Sequence, residues 1–313
     1  MDIPGTKTST RILNKIFSFF GFGLFSLKEI KDIREKIGKL EQVKEEYNTS
    51  TKLLIRRDLE LSRANEKLQK FDEVKSNFIS VVAHQLRTPL SGVKWTLSML
   101  LGGDMGELNN DQKTFLMKTY ESNLRMINLV NDMLVADGLQ SGRVHYGFKH
   151  MNIIDLMDNV LFEMAPQAAK RNVSISYKSK FENLPQVYAD PETMRAVIQN
   201  LLENAIKYTM EGGKVGIDVK KEEDHAIVSV ADNGIGIPAD QAKNVFTRFF
   251  RARNAVKHET DGSGLGLYIA KTIIERSGGK IWFESSEEKG TTFYFTVPLS
   301  AEAGQEKQKE NNN

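Results

Sequence analysis

The stretch that decides the first domain is Asp72–Leu101, which reads DEVKSNFISVVAHQLRTPLSGVKWTLSMLL. Its apolar residues recur at intervals of three and four positions, which places them along one face of an α-helix. They are Val82, Leu86, Leu90, Val93, Leu97 and Leu100. After the turn GGDMGELNN, Asp111 is the predicted N-cap of a second helix with a similar stripe. This second stripe consists of Leu116, Tyr120, Leu124, Ile127, Val130 and Leu134.

Two amphipathic helices joined by a short turn predict an antiparallel hairpin. A single hairpin leaves its apolar stripes uncovered, whereas two hairpins bury them in a four-helix bundle. We therefore expect a homodimer. Pro89 has no N–H to offer the carbonyl of Gln85, so a bend is expected in the first helix beside His84.

The segment before the hairpin, residues 28–71, is rich in Glu, Lys, Leu and Ile. An apolar residue recurs there at every seventh position, which predicts a coiled-coil linker. The positions are Tyr47, Leu54, Leu61 and Leu68. A regular coiled coil has a second apolar position in each heptad, and here that position carries polar residues, so the seam between the helices is weak. These residues are Lys44, Asp58, Asn65 and Asp72. Both a plain dimerising rod and a signal-transmitting rod fit this pattern.

The N-terminal segment 1–27 contains the uncharged run IFSFFGFGLFSL at 16–27. A membrane-spanning helix needs about 20 apolar residues, so this run is too short to cross a bilayer. It fits a peripheral membrane contact aided by Arg11 and Lys15, and it equally fits a short helix packed on the dimer or a disordered segment. The expected location is cytoplasmic, or at the inner face of the membrane.

After Gly142 the pattern changes to strands and helices in alternation, which predicts a sheet layered with helices over residues 147–300. The predicted strands are Val173–Tyr177, Lys214–Val219, Ala226–Val230, Lys280–Phe283 and Thr291–Val297. The predicted helices are Ile153–Lys170, Pro191–Tyr208 and Leu265–Ser277. The hairpin domain then occupies 72–146, and the polar tail 301–313 is predicted to be disordered.

The overall composition excludes some classes of function. The chain carries 43 basic and 41 acidic residues, a net charge of +2, which favours no nucleic-acid partner. It has no cysteine, so disulfides and thiolate metal sites are excluded.

One histidine on the first helix is a candidate nucleophile. His84 and Thr88 are four residues apart and share a helix face. A neutral imidazole is a competent nucleophile near pH 7. A single histidine on a helix is more often an ordinary surface residue, so His84 needs support from other motifs.

The helix PETMRAVIQNLLENAIKYT places four polar residues near one face: Asn200, Asn204, Lys207 and Tyr208. The amide oxygen of Asn204 suits Mg²⁺, and the ammonium group of Lys207 suits a phosphate. Each asparagine equally fits a cap or a solvated surface position.

Two glycine-rich segments follow. In VADNGIGIP, Asp232 can accept a hydrogen bond from an adenine amino group, and Gly234 and Gly236 permit a sharp turn. In DGSGLGLYIA, three glycines at alternate positions, 262, 264 and 266, open a helix whose first turn favours phosphate. A long segment with Phe246 and Arg248 lies between them, as an active-site lid would.

The order of these motifs resembles that of the histidine kinases of two-component signalling, from about Phe71 to Pro298. The resemblance implies a multidomain α and α+β protein: a dimeric four-helix bundle bearing a phospho-accepting His84, then an α/β sandwich that binds ATP, shared with the gyrase, Hsp90 and MutL ATPases. It also implies a separate response regulator whose aspartate receives the phosphoryl group.

The resemblance assigns roles motif by motif. Asn204 would bind Mg²⁺, Asn200 and Lys207 would contact phosphates, Tyr208 would pack near the nucleotide, and Asp232 would read the adenine. The remaining ATP-binding positions would be Gly234, Gly236, Phe246, Arg248, Gly262, Gly264, Leu265 and Gly266. Thr88, one turn from His84, would orient a water molecule if the protein also acts as a phosphatase, although it equally fits a helix residue that merely precedes Pro89.

Two residues depart from the pattern. Members of the family usually carry Glu or Asp after the histidine, and this chain has Gln85, which is not a base near neutral pH, so we expect slower autophosphorylation. The related ATPases carry a water-activating Glu where this helix has Asn200, and the neighbouring Glu203 is predicted to lie off that face. The alternatives are an ATPase of the gyrase or chaperone kind and a nucleotide-binding scaffold that has lost phosphotransfer.

Overall fold

The computed structural model describes residues 27–142, 146–177, 186–259 and 262–300. The chain divides into two compact units, one up to Phe71 and one from Asp72. Apart from Leu27, the predicted membrane-contacting segment 16–27 lies outside the described residues, as does the tail 301–313. Among the helices of the described ranges, none combines the length and the apolar character needed to cross a bilayer.

Helix α1 (Leu27–Gly102) supplies all of the described part of the first unit. Acidic and basic side chains four residues apart pair along its surface, as Glu35 does with Lys39 at 2.8 Å. Such exposed pairs contribute about 0.3–0.5 kcal/mol each. The apolar residues of the heptad repeat are exposed in the single chain, with Tyr47 at 71% and Leu54 at 67%. The seam predicted for a coiled coil is therefore left uncovered.

In the second unit, α1 pairs with α2 (Asn110–Gln140) in the predicted hairpin. The Ser76 hydroxyl donates to the buried Asp137 carboxylate at 2.9 Å, and Asn123 donates to the carbonyl of Leu90 at 2.9 Å. Leu86 of the apolar stripe remains 46% exposed. Helix α1 continues through Pro89, and the bend expected there stays a prediction.

The predicted N-cap of α2 was wrong. Asn109, with extended backbone, is the N-cap, and it forms a reciprocal capping box with Gln112. The Gln112 N–H donates to Asn109 Oδ1 at 2.8 Å, and the Asn109 N–H donates to Gln112 Oε1 at 3.0 Å. Asp111 lies in the first turn, where its negative charge is favourable to the helix dipole.

The rest of the second unit contains a two-stranded sheet and a five-stranded sheet, with α-helices between the strands. The elements are β1 (Lys149–Met151), α3 (Ile153–Lys170), β2 (Ser174–Tyr177), β3 (Val187–Ala189), α4 (Pro191–Tyr208), β4 (Lys214–Glu222), β5 (His225–Asp232), a 3₁₀ helix (Ala239–Asn244), α5 (Arg253–His258), α6 (Gly266–Arg276), β6 (Ile281–Ser286) and β7 (Gly290–Pro298).

In the larger sheet the strand order is β2-β4-β5-β7-β6. Strand β2 runs parallel to β4, and the other neighbours are antiparallel. Strand β1 pairs with β3 in the smaller sheet, also antiparallel. The predicted α and α+β class, with a helical hairpin followed by a helix-layered sheet, is confirmed.

The core lies between the larger sheet and the helices α3, α4 and α6. Ile198, Leu202 and Ile274 are fully buried on the helix side, and Val228 and Phe295 are fully buried on the strand side. Along β5 buried residues alternate with less buried ones, as expected for a sheet covered on one face. This packing brings the C-terminal ends of α4 and β5 together, since the Ile235 N–H donates to the carbonyl of Tyr208 at 3.1 Å.

Candidate functional site

A cavity of about 520 Å³ opens where the ends of α4 and β5 meet the start of α6. Nine of the residues predicted to bind a cofactor line it. They are Asn200, Asn204, Lys207, Tyr208, Asp232, Gly236, Gly262, Gly264 and Gly266. These residues are spread over 67 positions of the sequence, and the fold brings them to one place.

The polar face of α4 forms one side of the cavity. Asp190 caps the helix by accepting from the Thr193 N–H at 2.8 Å. Asn200 is held by its amide, which donates to the carbonyl of Ala196 at 2.9 Å. Its Oδ1 lies against Gly266, where an added Cβ would be only 2.5 Å away. The start of α6 can therefore approach α4 this closely only because residue 266 is glycine.

Asp232, at the end of β5, is a half-buried acceptor of the cavity. Its Oδ1 accepts from the N–H of Gly234 at 2.9 Å and from that of Thr291 at 3.2 Å. Burial raises the pKa of Asp232 to about 6, against the lowering effect of these two bonds. Apolar side chains, among them Ile237 and Phe293, line the cavity as well. A carboxylate beside an apolar wall suits a planar base that carries an amino group.

The loop that opens α6 brings backbone amides and a positive charge together. Gly264 has a φ of 68°, in the left-handed region that favours glycine, and an added Cβ would lie 2.7 Å from the backbone of Phe249. The ammonium of Lys207 lies beside Gly262, 3.2 Å from where a Cβ would stand. A helix start with a nearby ammonium group is a favourable place for a phosphate.

Two carboxylates also line the cavity, Glu203 and Asp132. Burial raises the pKa of Glu203, a hydrogen bond from Gln199 lowers it, and the charge of Asp132 raises it further. Burial likewise raises the pKa of Asp132, against the hydrogen bond from Ser263. The prediction that Glu203 lies off the polar face of α4 was wrong, because positions 200, 203, 204 and 207 all face the cavity.

Helix α2 of the hairpin supplies a wall of the cavity that the sequence did not predict. The lining residues are spaced at three and four positions, so they form one helix face. They are Ser122, Arg125, Met126, Asn128, Leu129 and Asp132. This face lies beside the apolar stripe of α2, and its sequence pattern is typical of an ordinary solvent-exposed helix face.

Four residues predicted to bind the cofactor lie outside the cavity lining. Gly234 lies behind Asp232, where an added Cβ would be 2.1 Å from the carbonyl oxygen of Tyr208. Leu265 is buried in the core. Phe246 packs edge-on against Phe283, with ring centroids 5.8 Å apart.

The fourth, Arg248, connects the predicted lid to neighbouring helices. Its guanidinium donates to the Tyr268 hydroxyl at 2.7 Å and to the side chain of Gln140 at the end of α2. The lid itself contains the 3₁₀ helix and α5, two short elements that the sequence pattern did not indicate.

The candidate nucleophile lies on α1 and outside the cavity lining. His84, Gln85 and Thr88 are all exposed. The Thr88 hydroxyl donates to the backbone carbonyl of His84 at 3.4 Å. The neighbouring Arg87 donates to Asn131 of α2 at 2.9 Å, which ties the two helices together beside the histidine.

Comparisons with known proteins match both halves of the second unit. Residues 189–301 match the family described as "Histidine kinase-, DNA gyrase B-, and HSP90-like ATPase". Residues 74–141 match the "His Kinase A (phospho-acceptor) domain". His84 falls within the second match, and the residues of the cavity are divided between the two.

Among curated proteins, the sensor histidine kinase WalK of Bacillus subtilis is 36% identical over 242 residues, which cover 75% of this chain and 38% of that protein. The crystal structure of full-length ShkA in complex with AMPPNP aligns with a TM-score of 0.58 and 28% identity, over 71% of this chain and 45% of that one.

The histidine kinase ThkA, solved in complex with the response regulator protein TrrA, aligns with a TM-score of 0.52 and 27% identity, over 72% of this chain and 62% of that one. The chain thus spans less than two thirds of the length of each of these three relatives.

Proposed function

The chain belongs to the sensor histidine kinases of two-component signalling, and from that premise we propose that it transfers the γ-phosphoryl group of ATP to its own His84. The observation that carries the proposal is the convergence of Asn200, Asn204, Lys207 and Asp232 with the glycine-rich loop on one cavity. An exposed histidine on the adjoining hairpin supplies the acceptor.

Different residues of the cavity would contact the base, the phosphates and the metal ion of the nucleotide. Asp232 accepts a hydrogen bond from the adenine amino group, and the apolar wall packs against the base. Lys207 and the amides at the start of α6 hold the phosphates. Asn204 offers its amide oxygen to Mg²⁺, a hard cation that takes few protein ligands and keeps phosphate oxygens and waters. A Mg²⁺ ion held there would neutralise phosphate charge.

In the transfer, a ring nitrogen of His84 forms a bond to the γ-phosphorus while the bond to the β–γ bridging oxygen breaks and ADP leaves. The neutral imidazole is the reactive form, and its remaining ring proton must pass to a base. The side-chain oxygen of Gln85 can accept a hydrogen bond from the ring but cannot take the proton near neutral pH. We therefore expect transfer to be slower than with a carboxylate at position 85.

We assign residues 28–71 to a coiled-coil linker, 72–146 to the dimerisation and phosphotransfer domain and 147–300 to the ATP-binding domain. The exposure of Leu54 in the linker and of Leu86 in the hairpin supports a homodimer, since association would remove both apolar surfaces from water. The second step would pass the phosphoryl group from His84 to an aspartate of a separate response regulator. Thr88 would be available to orient a water molecule that hydrolyses this phospho-aspartate in a phosphatase reaction.

Simple hydrolysis of ATP is the second candidate, and one observation favours it. Glu203 lines the cavity, and burial raises its pKa, as suits a general base. Under this alternative, Glu203→Gln would abolish release of inorganic phosphate. Under phosphotransfer to His84, the same variant would still become labelled on the histidine.

The test is incubation with radiolabelled ATP and Mg²⁺, comparing the wild type with His84→Gln. His150→Gln, which removes another exposed histidine, is the matched control. Label that is acid-labile and alkali-stable, present in the control and absent from His84→Gln, is the expected result. ADP binding without any label would instead indicate a nucleotide-binding scaffold.

A further inference from the structure

The Ser263 hydroxyl connects the hairpin to the glycine-rich loop at the start of α6. It donates a hydrogen bond to Asp132 Oδ2 on α2 at 2.8 Å and accepts one from the Leu265 N–H at 3.2 Å. A hydroxyl has one proton to donate, and here it is used in the hydrogen bond to the carboxylate. The negative charge of Asp132 is thereby relayed to an amide at the positive end of α6, where an anion is favoured.

The carboxylates beside this contact repel a further anion. Asp132 and Glu203 both line the cavity, and the charge of Asp132 raises the pKa of Glu203. The basic residues Lys207 and Arg251 lie beside Gly262 of the same loop, 3.2 and 3.4 Å from where a Cβ would stand, and Arg125 of α2 also lines the cavity. A nucleoside diphosphate or triphosphate brings several negative charges into the same space.

We propose that Asp132 and the nucleotide phosphates compete for the loop that opens α6. Without nucleotide, the carboxylate holds the loop against α2 through Ser263. Bound phosphates displace it and release the loop from the hairpin. The inference rests on the nucleotide site proposed above and adds a coupling between that site and α2.

The coupling is reciprocal by thermodynamic necessity, because the contact with Asp132 weakens phosphate binding by the same factor by which phosphates weaken the contact. A second polar contact, between Arg248 and Gln140, lies two turns further along α2 and does not involve the loop. Loss of that contact loosens the docking of the domain without changing the charge beside the loop, so it separates charge competition from simple opening.

The test is isothermal titration calorimetry on the full chain in Mg²⁺-free buffer, with ADP and with adenosine as probes. Asp132→Asn keeps an oxygen acceptor for the Ser263 hydroxyl and removes the charge. We expect its ADP affinity to rise about tenfold, within the 5–150-fold range typical of coupled sites, with no change for adenosine. Asp132→Ser, which shortens the side chain as well, should give the same result.

Two variants serve as controls. Glu121→Gln removes an exposed carboxylate of α2 that does not line the cavity, and Gln140→Ala removes the second contact. Neither should change the ratio of the two affinities. An ADP affinity that is unchanged or lower in both Asp132 variants overturns the inference and leaves the proposed function intact, provided the wild type binds both ligands. Equal tightening of ADP and adenosine also overturns it, and a wild type that binds neither refutes the nucleotide site itself.

Discussion

Asp232→Asn should weaken nucleotide binding and, at neutral pH, stabilise the fold. The asparagine retains Oδ1, which accepts from the N–H groups of Gly234 and Thr291, so the local turn is preserved. The other carboxylate oxygen becomes an NH₂ group, which cannot accept from an adenine amino group. Hydrogen bonds to a charged group contribute about 1.5–3 kcal/mol, so ADP affinity should fall roughly 10- to 150-fold.

The stability effect has the opposite sign. The pKa of Asp232 is about 6 in the folded chain against an ordinary 3.8. The folded state therefore binds the proton more tightly than the unfolded chain, and the free energy of unfolding falls as the pH rises from about 4 to about 6. Ionisation of Asp232 lowers the free energy of unfolding by at most about 3 kcal/mol. The neutral asparagine does not cause this decrease.

Calorimetry with ADP at pH 5.5 and pH 7.5 and urea unfolding at pH 4.5 and pH 7.5 measure both effects. The wild type should lose affinity for ADP below pH 6 more steeply than Asp232→Asn, which serves as the control because the terminal phosphate of the nucleotide titrates in a similar range. An unchanged ADP affinity in the variant would refute the role of Asp232 in reading the base. A variant that is less stable than the wild type at pH 7.5 would refute the account of the buried charge.

Three further outcomes are expected. Gln85→Glu should raise the autophosphorylation rate several-fold by supplying a proton acceptor, and a rate that is unchanged or lower in a labelled-ATP time course would contradict this account. Gly266→Ala should weaken ADP binding by roughly tenfold or more, because its Cβ meets Asn200 Oδ1, and the additional change Asn200→Ala should restore the space but not the phosphate contact. Leu61→Asp should raise the dimer dissociation constant in analytical ultracentrifugation, whereas Lys52→Asp, an exposed change outside the apolar seam, should leave it unaltered.

Sequence patterns located the long elements well. Helices Ile153–Lys170 and Pro191–Tyr208 have the predicted bounds, because Asn152 and Asp190 cap their N-termini and their apolar periodicity is strong. The three-residue strands β1 and β3 were not predicted, since three residues are too few to show an alternating pattern. The N-cap of α2 was displaced by two residues because several residues around Asn109 are suitable caps.

The residues of the candidate site that belong to a short sequence motif could be predicted. Those that line the cavity where the hairpin meets the sheet domain could not. Asp232 and the three glycines of the loop could be found because their chemistry is written in a few consecutive residues. The wall supplied by α2 depends on docking between elements more than 60 residues apart in sequence, such as Leu129 and Asn200, and no local pattern encodes that. Arg248 was assigned to the nucleotide site by the resemblance, as part of the lid, and this assignment stays a prediction. Its contacts with Gln140 and Tyr268 come from tertiary packing, which no local pattern encodes.

The wall that α2 contributes bears on the selectivity of small-molecule inhibitors. A compound that occupies only the proposed base pocket around Asp232 contacts the part of the chain that matches the histidine kinase-, DNA gyrase B- and HSP90-like ATPase family. A compound extended to reach Met126 and Leu129 would gain apolar contacts that come from the hairpin. A screen against an isolated ATP-binding domain would miss such a compound because the contacts with α2 are absent there. A screen against the full chain would detect it.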